Sequence, residues 1–204
     1  MTSWRQIRPA WAAAGAAALV LHAGGRVGAE GRFPMSSPAS AAPSVSVVSM
    51  DRGAYRIDGS FRIQTTAPVA WSVLTDYDNI PSFVSSMRSS AAARDESGRL
   101  FIAQRATGRA GPFSRTLHVV LEVAERPTSR IEFRDISGTS FGSYVGSWSI
   151  DPDGAALRVT YVLEARPHSV PRVFARSILA SNARGLLDQV RQEMLRRSRA
   201  APAR

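Results

Sequence analysis

From Tyr55 to Gln64 apolar side chains fall at alternate positions, Tyr55, Ile57, Phe61 and Ile63, with Arg56, Asp58, Ser60, Arg62 and Gln64 between them. A period of two predicts a half-buried strand. Thr65-Thr66-Ala67-Pro68 then carries a helix-start signal, because proline fits the first turn where its missing N–H is not needed. Val69, Trp71, Val73 and Leu74 predict a short helix ending around Asp76-Tyr77-Asp78, and Asn79-Ile80-Pro81 restarts the chain into a second short helix or turn over Ser82 to Met87.

From Met87 onward the turn signals recur at the spacing of an antiparallel meander. Asp95-Glu96-Ser97-Gly98 turns into a strand at Leu100 to Thr107, and Gly108 to Pro112 turns into the longest candidate, Ser114 to Val123. Arg126 to Ser129 leads to Arg130 to Ile136, and the glycine-bearing loop Ser137 to Ser143 leads to Tyr144 to Ile150. Asp151-Pro152-Asp153-Gly154 is the clearest hairpin turn, since Pro presets φ and Gly accepts the left-handed position. Leu157, Val159, Tyr161 and Leu163 alternate through the last strand.

At Pro167 the period changes. From Pro171 to about Arg197 the residues Phe174, Ile178, Leu179, Leu186, Val190 and Met194 recur at three- and four-residue steps, one face of a long helix. Such a helix spans about 40 Å, enough to lie across a whole sheet. The order is strand, two short helices, a run of strands and one long helix, an α+β arrangement in which a strongly curved antiparallel sheet closes over the helix. That closure leaves a pocket walled by the inward alternates Leu117, Val119, Leu121, Ile131, Phe133, Tyr144, Trp148, Tyr161 and Leu163, with Trp71 and Phe83 from the short helices and with Phe174, Ile178 and Leu179 as lid. An aliphatic and aromatic lining with few polar groups suits a hydrophobic small molecule.

The stretch Val69-Ala70-Trp71-Ser72-Val73-Leu74-Thr75-Asp76-Tyr77-Asp78, then Pro81-Ser82-Phe83-Val84, Gly146-Ser147-Trp148, and Tyr161 with Pro167 and Pro171, resembles the polyketide cyclase/dehydrase and coenzyme Q-binding branch of the START-like (SRPBCC) superfamily. The resemblance covers roughly residues 51 to 197 and keeps the element order. It implies a helix-grip fold, like that of the birch-pollen allergen, with about six or seven strands. It also implies an apolar ligand: a lipid, quinone, polyketide or similar molecule. Fold alone does not assign chemistry.

Composition adds location and partners. Residues 1–29 have the grammar of a secretory signal: Arg5 and Arg8, an apolar run from Ala10 to Leu21, then Val27-Gly28-Ala29 before a cut. The run is short of the roughly 20 residues a permanent span needs, so a periplasmic or secreted domain is expected, with a retained N-terminal anchor as the alternative. Residues 30–50 read as a Pro/Ser/Ala-rich linker, and residues 51–200 as the ligand-binding domain. Every basic residue is arginine, and the formal charge of +10 falls to +7 if the first 29 residues are removed. No basic cluster interleaves with aromatics, so no nucleic-acid partner is expected. The run Arg191, Arg196, Arg197 and Arg199 suits transient contact with anionic head groups, or simply a helix C-terminus.

Dedicated chemistry is sparse. There is no cysteine, no histidine pair at metal-ligand spacing, no phosphate loop, no nucleophile elbow and no dinucleotide fingerprint, so neither metal nor cofactor is expected. The acid/base candidates are His118, Glu122, Asp135, Tyr144 and Tyr161; the parity of the strand turns His118 and Glu122 outward, while the two tyrosines point inward, where a phenol can bond a carbonyl or quinone oxygen. Asp76 and Asp78 read as residues that cap or end helices. Three functions follow: non-catalytic binding or transport of a hydrophobic molecule, a cyclase or aromatase using the tyrosines, or a protein-interaction module.

Overall fold

A computed structural model describes residues 42–110, 113–168 and 172–200. The alternating run forms strand β2 (Tyr55–Ile63), whose residues alternate between buried and half-buried along most of its length. It is preceded by β1 (Ser44–Ser49), which pairs with it antiparallel from Ser44↔Ser60 to Ser49↔Tyr55. Sequence reading places this stretch in the linker. The serine- and proline-rich composition hides a short Ser-Val alternation that buries Val47 and leaves Val48 half-exposed at 54%. The signal segment lies outside the described residues.

Helix α1 (Ala67–Leu74) starts at the expected place, with Thr66 at its N-cap and Pro68 in its first turn. A single 3₁₀ turn, Tyr77–Asn79, joins it to α2 (Ile80–Phe83). These helices carry the chain from one end of the sheet to the other. The meander follows as β3 (Met87–Arg94), β4 (Leu100–Ala110), β5 (Phe113–Arg126), β6 (Arg130–Asp135), β7 (Phe141–Asp153) and β8 (Ala156–Pro167). The eight strands form one antiparallel sheet in the order β1-β2-β8-β7-β6-β5-β4-β3, so β8 returns to pair with β2. Two of the turns use left-handed backbone as the sequence indicates, at Gly98 (φ 81°) and Gly154 (φ 65°).

Helix α3 (Arg172–Ala200) lies against the inner face of this curved sheet. Ala183, Leu187, Val190 and Met194 are buried at steps of four, three and four residues, the stripe one helix face produces. Leu187 sits directly over Gly59, where an added Cβ would collide with its side chain. The glycine thus lets the helix approach the sheet.

Candidate functional site

Between the inner face of the sheet, α1, α2 and the second half of α3 lies a cavity of about 120 Å³. The sheet contributes Ile102 and Gln104 from β4, Leu121 and Val123 from β5, Ile131 and Phe133 from β6, Tyr144 and Trp148 from β7, and Tyr161 from β8. The α1–α2 segment contributes Val73, Leu74, Tyr77, Ile80, Phe83 and Val84, and α3 contributes Leu186 and Val190. Strand pairing explains the aromatic wall. Ile131 stands opposite Trp148, and Trp148 opposite Tyr161, so one row crosses three strands on the inner face. The Trp148 and Tyr161 rings meet at 4.6 Å, and Phe133 lies 5.9 Å from Tyr144 and 6.4 Å from Tyr161.

Of the residues expected at the cavity, Phe83, Leu121, Ile131, Phe133, Tyr144, Trp148 and Tyr161 converge on it. The rest do not. Trp71 stands about 100° round the helix from the buried Ala70 and packs beside the core, while Val73 and Leu74 take the cavity face. Leu117 leans over Gly108, its Cδ1 3.2 Å from where a Cβ would be, and Val119 packs against the core outside the cavity. Leu163 is buried core, in the row where the Phe133 ring covers Gly146. Ile178 and Leu179 sit about 11 Å up the helix axis from Leu186, too far to serve as lid. The side chain of Phe174 lies outside the described set. Val123, Leu186 and Val190 were recoverable from parity and helical period, but Gln104 was not, because a polar residue on an inner row breaks the pattern that identifies walls.

The polar groups divide sharply. The Tyr77 hydroxyl donates to Glu125 Oε1 at 2.7 Å; burial first, and then this bond, push its pKa far above the ordinary phenol value. Burial raises the pKa of both Tyr144 and Tyr161 above the ordinary phenol value, that of Tyr161 the more strongly, with the neighbouring Tyr144 adding to its rise. Gln104 donates its Nε2–H to Ser90 Oγ at 3.2 Å.

The other acid/base candidates have structural partners. Glu122 accepts from Arg134 Nε at 2.6 Å on the outer face. Asp135 accepts the backbone N–H groups of Val120 and Ser137, each at 2.9 Å, and so fastens the turn after β6. His118 is half-buried, and its backbone N–H donates to Ser140 Oγ. Asp76 and Asp78 make no side-chain cap: Asp76 accepts from Arg197 and Asn79, and Asp78 accepts the N–H of Ala92 on edge strand β3. A larger hollow of about 700 Å³ on the sheet's outer face is walled by charges that pair among themselves, among them Arg94 with Glu125 and Arg130 with Glu132. Its lining mixes these charge pairs with the aliphatic Val145 and Val162. Among the described residues no three His, Asp or Glu side chains converge as a metal site would require, and no helix is long and apolar enough to cross a membrane.

Solved structures of similar fold include the Zhui aromatase/cyclase from Streptomyces sp. R1128 (15% identity, TM-score 0.59, covering 74% of this chain and 99% of that one). They also include a STAR-related lipid transfer protein from Xanthomonas axonopodis (15%, 0.55, 74% and 98%) and human STARD10 (15%, 0.60, 76% and 70%). No curated protein is similar in sequence. The sequence profile described as "Polyketide cyclase / dehydrase and lipid transport" matches residues 54–195, from the start of β2 to the last turns of α3. With eight antiparallel strands gripping one long helix, the chain is a START-like domain and belongs to the polyketide cyclase/dehydrase and lipid transport family.

Proposed function

We propose that this domain binds a hydrophobic small molecule of the lipid, quinone or polyketide-like kind in its internal cavity and carries it without catalysis, outside the cytoplasm, after export by its N-terminal segment. The observation that carries this reading is the cavity wall, in which fourteen of the eighteen lining residues bear no hydroxyl or amide. Its size sharpens the reading. Ligand sites for drug-sized molecules run from about 300 Å³, whereas a dry apolar cavity of about 150 Å³ accepts benzene. At about 120 Å³ the cavity has room for no more than a benzene-sized group as it stands, and a larger cargo requires α1 and α2 to move away from the sheet. The family description and the structural neighbours support a ligand of this class, since they include both a lipid transfer protein and an aromatase/cyclase. Transient docking on anionic head groups through Arg191, Arg196 and Arg199 accords with a carrier role.

One observation favours the cyclase alternative. Tyr144 and Tyr161 both border the cavity, where a phenol O–H can donate to and polarise a carbonyl. Mass spectrometry of lipids, quinones and aromatic polyketides extracted from the purified protein tests the carrier reading directly. Recovery of a stoichiometric, chemically unaltered apolar molecule supports it. A protein that converts the recovered molecule, and loses that turnover by orders of magnitude in Tyr144→Phe while affinity changes modestly, is instead an enzyme.

A further inference from the structure

The wall of the cavity holds four hydroxyl- or amide-bearing side chains, Tyr77, Gln104, Tyr144 and Tyr161. One of them spends its proton on the protein: Tyr77 donates to Glu125. That leaves the Tyr144 and Tyr161 hydroxyls and the Gln104 amide on the cavity wall. Gln104 stands out in its strand. The inner row of β4 before it is Leu100 and Ile102, both buried, and Gln104 continues that row in place of a third aliphatic residue. Its partner Ser90 is directly opposite on β3, and the Ser90 hydroxyl takes one amide N–H and so fixes the plane of the amide. A carboxamide has two N–H donors and two acceptor positions, so the Ser90 bond uses one of four and leaves the rest of its capacity for another partner. An amide placed on an apolar wall lowers stability unless something bonds it.

Gln104 and Tyr144 lie on strands β4 and β7, three strand spacings or about 14 Å apart along the sheet. Both side chains border the same cavity. We infer that the cavity selects a ring-bearing molecule with oxygen functions at two opposite ends, an acceptor such as a carbonyl at Tyr144 and a hydrogen-bonding group such as a hydroxyl read by Gln104. This rests on the ligand-binding reading above and makes Gln104 the residue that determines specificity.

Three para-substituted rings of similar size test it by calorimetric titration of the full chain: 4-hydroxyacetophenone, 4-methylacetophenone and p-xylene. The wild type should bind 4-hydroxyacetophenone about tenfold more tightly than 4-methylacetophenone, the ratio one additional hydrogen bond gives. Gln104→Met, close in volume, should erase that preference while leaving 4-methylacetophenone affinity within about twofold. Tyr144→Phe should weaken both ketones and leave p-xylene alone. Ser90→Ala, on an exposed edge strand, unfixes the amide and should shrink the preference by about threefold without changing the fold. If p-xylene binds but the wild type shows no preference, or the preference survives Gln104→Met, the two-ended reading is wrong while the cavity reading stands. If none of the three rings binds the wild type, both fail.

Discussion

Arg197 Nη2 lies 2.6 Å from Asp76 Oδ2, which fastens the last turns of α3 to the end of α1. The same guanidinium donates from Nε to Glu193 Oε1 at 2.7 Å and from Nη1 to the Ser72 carbonyl at 3.0 Å, and it stands over the ring of Phe83 at 5.8 Å. Phe83 lines the cavity, so this one side chain joins the helix to the roof of the ligand site. All three charged groups are mostly buried, at 24% exposure for Arg197, 25% for Asp76 and 7% for Glu193. Arg197→Gln should therefore lower stability by about 2 kcal/mol, the loss expected for charge-assisted bonds with little solvent to replace them. Urea unfolding measures it, and a change below about 0.5 kcal/mol would show the cluster to be ornamental.

The same cluster sets an acid limit. Bonds from Arg196 and then Arg197 hold the Glu193 carboxyl below its ordinary value of 4.5, against the cost of burial. Burial pushes Asp76 upward, but bonds from Asn79 and Arg197 outweigh it and leave its pKa below the ordinary 3.8. Carboxyls depressed in the folded state contribute stability that is complete above their unfolded values and is lost as pH falls through the folded ones. The urea midpoint of the wild type should drop between about pH 5 and pH 2 more steeply than that of Arg197→Gln, and the two should converge at the acid end. Parallel curves would place the acid sensitivity elsewhere.

At the alkaline end the phenols reverse the sign. Tyr77, Tyr144 and Tyr161 all have raised folded values, each chiefly from burial. A raised phenol contributes stability below its ordinary value of 10.0 that is lost as pH rises toward the folded value. These three tyrosines should stay un-ionised in the folded chain at pH 10 and ionise together with unfolding, so tyrosinate absorbance and far-UV circular dichroism should change in one step. Gradual tyrosinate formation with intact circular dichroism would mean that the cavity wall is open to solvent.

Strand alternation and helical period made most of the fold legible, because they report which face each residue buries. Tyr55 to Ile63 and the hairpin at Pro152 to Gly154 needed nothing beyond local pattern, whereas of the described residues in the stripe expected along α3 only Val190 and Met194 are buried, beside Ala183 and Leu187, which the spacing did not single out. The parity of β5, β6 and β7 also turns Leu121, Phe133, Tyr144 and Trp148 to the inner face, where they line the cavity. Parity says that a side chain faces inward, however, and not how far along the strand the cavity reaches. Leu163 faces inward yet fills the core, Leu117 packs half-buried against it, and the helix supplies Leu186 and Val190 where the sequence pattern points to Ile178 and Leu179. Those positions depend on where α1 and α2 cross the sheet, which is a long-range fact. Strand β1 was lost for the opposite reason, since it is short, lies at the edge and is diluted by serine and proline.

That edge strand gives a paired test. Val47 is 8% exposed and packs with the core, whereas its neighbour Val48 is 54% exposed on the opposite face. Val47→Ala should cost about 1–2 kcal/mol and Val48→Ala less than about 0.5 kcal/mol. Urea unfolding of both variants checks the register. Equal effects would mean that residues 44–49 do not belong to the sheet in solution.

Gly146 links packing to ligand binding most directly. It stands opposite Phe133 on β6 and Leu163 on β8, and a Cβ built on it would meet Phe133 Cζ at 2.6 Å and clash with the Val162 carbonyl. The carbonyl is backbone and cannot turn aside, so Gly146→Ala should destabilise the domain by about 2–3 kcal/mol, the upper range for overpacking. The Phe133 ring, confined by Tyr144 and Tyr161, has the cavity as its remaining room and should swing into it. Binding of p-xylene should then fall at least tenfold, beyond what lost stability explains for the folded fraction. Phe133→Leu in the same chain should restore much of the binding, because the smaller side chain vacates that room. Gly142→Ala is the control: its Cβ meets only the guanidinium of exposed Arg166, at 2.7 Å, which can move away, so stability and binding should both hold. Full p-xylene affinity in folded Gly146→Ala would show that the Phe133 ring does not border the ligand.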